Sequence, residues 1–352
     1  MTYPGLEIRS EASLGHITLD KPKALHALDL PMCEGILAAL KAWEKDPKVG
    51  AVIIDHKEGT RGFCAGGDIR LLAESAAGDG SAARNFFRTE YRLNTTIHDY
   101  PKPYIAFIDG ITMGGGVGIS VHGAFRVATE NTTFAMPETG LGLFPDVGGG
   151  WFLPRLPGGI GLWLALTGAR LKAADCLHAG VATHYVPSAN LPALKDLLQK
   201  AASRGAAGVK AALDAAHVDP GAAPIDAVRE KIDNLFAGDS VEQILAALET
   251  DGSDWAKKQL ETLATKSPQT LKVTLRQLRE GAKLTRFVDN MKMEYRLASR
   301  TVMRPDFREG VRAIIIDKDN APKWNPARLD QVDDALVDAL FAPLPPDQDF
   351  TL

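Results

Sequence analysis

Gly62-Phe63-Cys64-Ala65-Gly66-Gly67-Asp68-Ile69-Arg70 and Asp109-Gly110-Ile111-Thr112-Met113-Gly114-Gly115-Gly116-Val117-Gly118-Ile119-Ser120 share one design. In each, an apolar strand pattern runs into a glycine-rich turn that opens a helix. Backbone N–H groups at a helix start have no intrahelical acceptor and point outward together. Glycine lets a ligand approach them without a Cβ in the way. One donor from each turn, aimed at one point, would stabilise an oxygen that becomes negative during reaction. The plainer alternative is that the glycines serve tight packing or turn geometry.

Around these turns the first half alternates strand and helix patterns. Residues 5–19 hold two short alternating runs about a small turn. Residues 31–46 read as a helix, with Ile36, Leu40 and Trp43 at helical spacing and Leu37 widening the face. Residues 51–55 (AVIID), 103–109 (PYIAFID) and 125–129 (FRVAT) read as strands, and a helix is expected from near Asp68. Strands alternating with helices predict an α/β layered core. From about 190 to 300 the pattern becomes one of amphipathic helices, broken by the Pro/Gly segment 217–226. The expected division is a core over 1–195 and a mainly helical region over 196–352. The tail APLPPDQDFTL (342–352) reads as extended or loose.

Composition narrows the function classes. The chain has 352 residues, 45% hydrophobic and 24% charged, which suits a large folded core rather than a disordered or fibrous chain. Forty basic against 44 acidic residues disfavour a general grip on nucleic acid. Cys33, Cys64 and Cys176 are too few and scattered for a disulfide framework. No apolar run is long enough to span a membrane. The opening MTYPGLEIRSEASLGH lacks the features of a secretory signal or a transit peptide. The expected location is cytoplasmic, or the mitochondrial matrix where a transit peptide has been removed.

Several familiar chemistries fail on spacing. A GxGxxG fingerprint from Gly114 requires glycine at 119, which is Ile119, and no GxxxxGK[ST] occurs. A GxSxG elbow is nearly spelled by Gly118-Ile119-Ser120-Val121-His122, but it ends on histidine. Ser120 falls within the expected helix, and His122, two residues on, points elsewhere. Both read as structural. The eight histidines are scattered without metal-ligand spacing, so no metal is expected.

Three acids stand in unusual places. On the helix pattern 82–98, Phe86, Leu93 and Ile97 form one face, and Glu90 sits in the middle of that apolar stripe. A carboxyl there is paired with a buried arginine, bound to a ligand, or protonated. Glu138 follows TTFAM and Pro137, where a strand hands over to a glycine-rich loop. That place suits a general base, and equally a solvated loop acid. Asp146 precedes Val147 and three glycines; its structural reading is an N-cap worth ~1 kcal/mol.

GFCAGGDIR, DGITMGGGVGIS and FAMPETGLGLFPDVGGG together resemble the crotonase (enoyl-CoA hydratase/isomerase) superfamily. FFRTEYRLN, KVTLRQL, MEYRL and FREGVRAIIIDKDNAPKW resemble its branch that hydrolyses 3-hydroxyacyl-CoA thioesters. The resemblance implies a spiral of β-β-α turns followed by a helical C-terminal region. It implies an oxyanion hole for a CoA thioester, with donors on Gly67 and Gly115, and a CoA adenosine end lying against Ala65, Gly66, Asp68, Ile69 and Arg70. It places active-site acids at Glu90, Glu138 and Asp146: Glu138 as general base or nucleophile, Asp146 and Glu90 dividing substrate binding and water positioning. CoA is then part of the substrate, and no separate cofactor, membrane or nucleic-acid partner is implied. A homo-oligomer is compatible with the family.

One departure is informative. Hydratases of the superfamily carry two glutamates, and the first of them corresponds to Gly118 here. Adding water across a double bond needs two acid–base groups, whereas hydrolysis needs a polarised carbonyl and one base or nucleophile. The expectation is thioester hydrolysis. The alternatives are another crotonase-type hydratase or isomerase, and a non-catalytic acyl-CoA-binding protein.

Overall fold

The computed structural model describes residues 3–352. Its strands are β1 (Leu6–Glu11), β2 (Leu14–Leu19), β3 (Ala51–His56), β4 (Gly62–Cys64), β5 (Tyr104–Ile108), β6 (Ile111–Met113), β7 (Phe125–Ala128), β8 (Thr133–Ala135) and β9 (His184–Tyr185). They form a six-stranded sheet ordered β1-β2-β3-β5-β7-β9 and a three-stranded sheet ordered β4-β6-β8. β1 and β2 are an antiparallel hairpin, Leu6 opposite Leu19, and the remaining pairs are parallel.

The order shows how the fold is wound. Each of the consecutive pairs β3–β4, β5–β6 and β7–β8 gives its first strand to the large sheet and its second to the small one. The chain then returns through a helix or loop to lay the next pair alongside. This is the expected spiral. The strands read from short apolar runs are those buried in the large sheet; Ile53, Ile54, Ile105 and Ala106 are fully covered.

Chain contacts divide the protein into two compact units. The first comprises the residues up to Gly67, Arg92–Ala135 and Arg170–Ile225, and so holds both sheets. Helices Leu191–Ala201 and Gly205–Ala216 set Leu194, Leu198, Val209 and Leu213 against Leu14, Ile53, Ile105, Phe107 and Val127 of the large sheet. The helix Leu30–Lys45 starts where Asp29 accepts the Met32 N–H at 3.0 Å, and it buries Ile36, Leu40 and Trp43 as the spacing predicts.

The second unit comprises Asp68–Tyr91, Met136–Ala169 and the chain from Asp226 onward. Helices Val241–Asp251, Asp254–Ala264 and Pro268–Lys283 begin at Ser240, Ser253 and Ser267, whose hydroxyls accept N–H groups of the first turn. The loop Met136–Gly148 leads into the short helix Gly149–Phe152, which sits against the helix Pro268–Lys283. A Cβ on Gly281 would lie 1.9 Å from the Gly150 carbonyl oxygen, so that close approach requires glycine.

Two local expectations are corrected. The helix after the second glycine turn ends at Gly118, because four residues rich in glycine have little helix propensity. Ser120 therefore lies in the turn beyond it, though its hydroxyl still donates back to the Gly116 carbonyl at 2.7 Å. The tail is not loose: Asp349 and Phe350 are buried. Asp349 pairs with Arg296 at 2.6 Å, and Arg88 donates to the Asp349 and Gln348 carbonyls. Among the described residues no helix is long and apolar enough to cross a membrane.

Candidate active site

In the first unit, the pairing of β4 with β6 brings the two glycine turns together. Gly62 is opposite Ile111 and Cys64 opposite Thr112, so the segments leaving both strands emerge side by side. The approach is close: a Cβ on Gly116 would stand 2.3 Å from the Cys64 carbonyl oxygen. The first turn is anchored by Ala65 N–H donating to Leu25 at 3.0 Å and Leu28 N–H donating to Gly66 at 2.8 Å. Gly66 has φ +127° and Gly114 φ +47°, a left-handed region that favours glycine at both bends. Gly115 is the first residue of the helix Gly115–Gly118, so its N–H has no acceptor within that helix.

In the second unit, Asp68 caps the helix Ile69–Ala76 by accepting the Leu71 N–H at 3.2 Å. Ile69 is half-buried and Arg70 is exposed. The same unit gathers the three acids. Glu90, Glu138 and Asp146 are only 2%, 5% and 5% exposed, so none is a solvated surface acid. Glu90 makes no ion pair among the described residues, and its Oε1 has no hydrogen-bond partner. Glu138 opens a short 3-10 turn after Pro137, and its Oε2 also has no partner. Asp146 is not the N-cap: Gly148 holds that position, and the Asp146 carboxylate accepts the Tyr91 hydroxyl at 2.7 Å instead.

The acids influence one another. Burial and then the Asp146 charge push the Glu90 carboxyl well above the ordinary carboxylate range. Burial and Asp146 do the same to Glu138, opposed by the nearby Lys266 ammonium. Burial raises Asp146 to about 6 against the pull of the Tyr91 hydroxyl. Burial and the Asp146 charge thus disfavour ionisation of Glu90 and Glu138, while the Lys266 ammonium favours the ionised form of Glu138. Buried carboxyls with perturbed proton affinity are what an acid–base site uses.

Three residues that the sequence reading left unassigned belong here. Tyr91 is fully buried and donates to Asp146. Lys266, itself lowered by burial, supplies the positive charge that favours ionised Glu138. Glu294 is fully buried and accepts the backbone N–H groups of Gly148 and Gly150 at 2.7 and 2.8 Å. A signal for Glu294 was present. It lies in the apolar stripe Phe287, Met291, Leu297, Ala298 of its helix, as Glu90 does in its own. Ser120 donates to the Gly116 carbonyl, and the His122 ring lies near that of His98.

The chain is similar to known proteins over nearly its whole length. The sequence profile of the enoyl-CoA hydratase/isomerase family matches residues 14–341. The fold is similar to a crystal structure of a carnitinyl-CoA dehydratase from Mycobacterium thermoresistibile, with TM-score 0.91, 42% identity, and 97% and 98% of the two chains covered. It is also similar to an enoyl-CoA hydratase from Rhodobacter sphaeroides, with TM-score 0.88, 39% identity, and 99% and 100% covered. In sequence it is 49% identical over 342 residues to the mitochondrial 3-hydroxyisobutyryl-CoA hydrolase of Gallus gallus, covering 96% of this chain and 88% of that one. The human protein of the same name is 47% identical over 333 residues, covering 92% and 85%. With the wound sheets, the paired glycine turns and matches spanning nearly its whole length, the chain belongs to the enoyl-CoA hydratase/isomerase family.

Proposed function

We propose that this protein is an acyl-CoA thioester hydrolase that converts 3-hydroxyisobutyryl-CoA, and the smaller 3-hydroxypropionyl-CoA, to the free 3-hydroxy acid and CoA. The reading rests on near-half identity, over almost the whole chain, to relatives that carry this activity in their names. The site residues fit it. Gly67 and Gly115 N–H groups would receive the thioester oxygen as it becomes negative, and losing one such donor typically costs ~10²–10³ in rate. Glu138 would serve in its ionised form. As base, it takes a proton from water while the water oxygen attacks the carbonyl carbon. As nucleophile, it forms an acyl anhydride that water then opens. In both routes the C–S bond breaks and CoA leaves as the thiol after taking up a proton. A single turnover in ¹⁸O-water tests the second route, since label on the Glu138 carboxyl requires an anhydride opened by water at that carboxyl. Asp146, charged near neutral pH, would accept the substrate hydroxyl or hold the water, and Glu90 would take the other of these tasks.

CoA enters as part of the substrate, and the proposed steps draw on no metal or redox group. A lyase is the second reading, favoured by the names of the two structural relatives. Gly118 opposes it, because it stands where a hydratase carries its first glutamate. The compartment we propose is the cytoplasm, although the relatives' names are mitochondrial. Glu138→Gln tests the reading directly. Turnover of 3-hydroxyisobutyryl-CoA is expected to fall by at least ~10²-fold with an unchanged circular dichroism spectrum. Turnover near that of the unmodified protein would remove Glu138 from the reaction.

A further inference from the structure

The segment Pro145–Gly150 carries Asp146 and is held at both ends by one buried polar cluster. At its start, Gln277 Nε2 donates to the Pro145 carbonyl at 2.7 Å. At its end, Glu294 accepts Gly148 N–H on Oε2 and Gly150 N–H on Oε1. Asn290 Nδ2 and Gln277 Nε2 also donate to Oε1, at 2.8 and 3.1 Å. Burial raises the Glu294 carboxyl to about 8, and the four N–H donors around it pull the other way, since a proton on Glu294 would face N–H groups and displace one of them.

The segment needs such a hold. Val147 has φ +48°, where a β-branched residue is strained, and Gly148 follows at φ +90°. This bend closes when the Asp146 carbonyl accepts the Gly149 N–H at 2.7 Å. It presents the Asp146 carboxylate to the Tyr91 hydroxyl. The clamp leaves little room. A Cβ on Gly150 would meet Asn290 Oδ1 at 2.7 Å and Gln277 at 3.1 Å.

We propose that Glu294 is a positioning residue for the hydrolysis: its two carboxyl oxygens lock the Gly148–Gly150 turn and so fix where the Asp146 carboxylate stands. The proposal rests on the role given to Asp146 under Proposed function. Glu294 acts through Asp146 and touches no substrate.

The test is a double-mutant cycle between Glu294→Gln and Asp146→Asn, read as kcat and KM for 3-hydroxyisobutyryl-CoA. The glutamine keeps the shape but turns an NH2 toward a backbone N–H. The turn then opens, and a displacement near 1 Å in a reacting group typically costs roughly 10²-fold in rate. Glu294→Gln is expected to lose kcat on that scale while KM changes less. Preference for a 3-hydroxyacyl-CoA over the matching acyl-CoA without the hydroxyl should fall with it. In the Asp146→Asn background the second change should cost no more than about twofold, within the ordinary scatter of such cycles.

Fully additive losses, or a normal kcat in folded Glu294→Gln, would overturn the proposal. Asp146→Asn alone reports on the underlying reading: a normal kcat there removes Asp146 from the reaction, and the positioning role with it. Glu294→Asp keeps the carboxyl group but, one methylene shorter, reaches only one of the two N–H groups. It is expected to lose less than Glu294→Gln, and it carries the same cycle where the glutamine variant does not fold.

Discussion

Replacing Tyr91 by phenylalanine removes one hydroxyl and leaves the ring in its place. That hydroxyl donates to Asp146 Oδ2 at 2.7 Å, both groups being buried. A hydrogen bond to a charged group is worth about 1.5–3 kcal/mol. At 1.36 kcal/mol per pKa unit, its loss moves the Asp146 carboxyl up by roughly 1–2 units. The starting point is about 6, so the variant's carboxyl should titrate between roughly 7 and 8.

An acid whose folded pKa lies above its unfolded value stabilises the fold while protonated, and that contribution is lost as pH rises. For Asp146, ordinarily 3.8 and about 6 in the fold, the loss is about 3 kcal/mol between pH 4 and 6. In Tyr91→Phe the decline should continue to about pH 8. Carboxyl-carbon NMR of selectively labelled aspartate, run from pH 4 to 9, reads the shift directly. An Asp146 carboxyl that titrates at the same pH in both proteins would refute the reasoning.

Gly115→Ala should cut kcat by roughly 10²-fold or more with a smaller change in KM, because a side chain beside the proposed donor harms the transition state more than the bound ground state. A destabilised variant with full activity per folded molecule would make Gly115 a packing residue. Phe350, buried against the rings of Tyr295 at 5.8 Å and Tyr91 at 6.5 Å, ties the tail to the acid cluster's own helices. Phe350→Ala should destabilise by about 3 kcal/mol and lower the melting midpoint by several degrees; an unchanged midpoint would show the tail contributes nothing.

Much of this was readable because the informative residues break a local rule. Gly66, Gly67 and Gly114–Gly116 end apolar runs where an ordinary strand would continue. Glu90 interrupts an apolar helix face, which burial confirms. Tyr91 broke no rule. An aromatic beside Glu90 reads as core, and its hydroxyl matters only because Asp146, 55 residues on, folds back to it. Glu294 did break the rule that exposed Glu90, yet its partners Gly148 and Gly150 lie 146 and 144 residues away. No spacing pattern links them. The tail escaped because a single phenylalanine among prolines and aspartates has no period to read. The interleaving of two units from alternating stretches of chain was equally hidden, since composition changes only once along the sequence.

The central claim is that water, assisted by Glu138, cleaves a thioester. Purified protein should be given 3-hydroxyisobutyryl-CoA and crotonyl-CoA in parallel, with released thiol and loss of the conjugated double bond both followed. The account predicts rapid thiol release from the 3-hydroxyacyl substrate and little hydration of crotonyl-CoA. Efficient hydration of crotonyl-CoA with no thiol released from either substrate would contradict it.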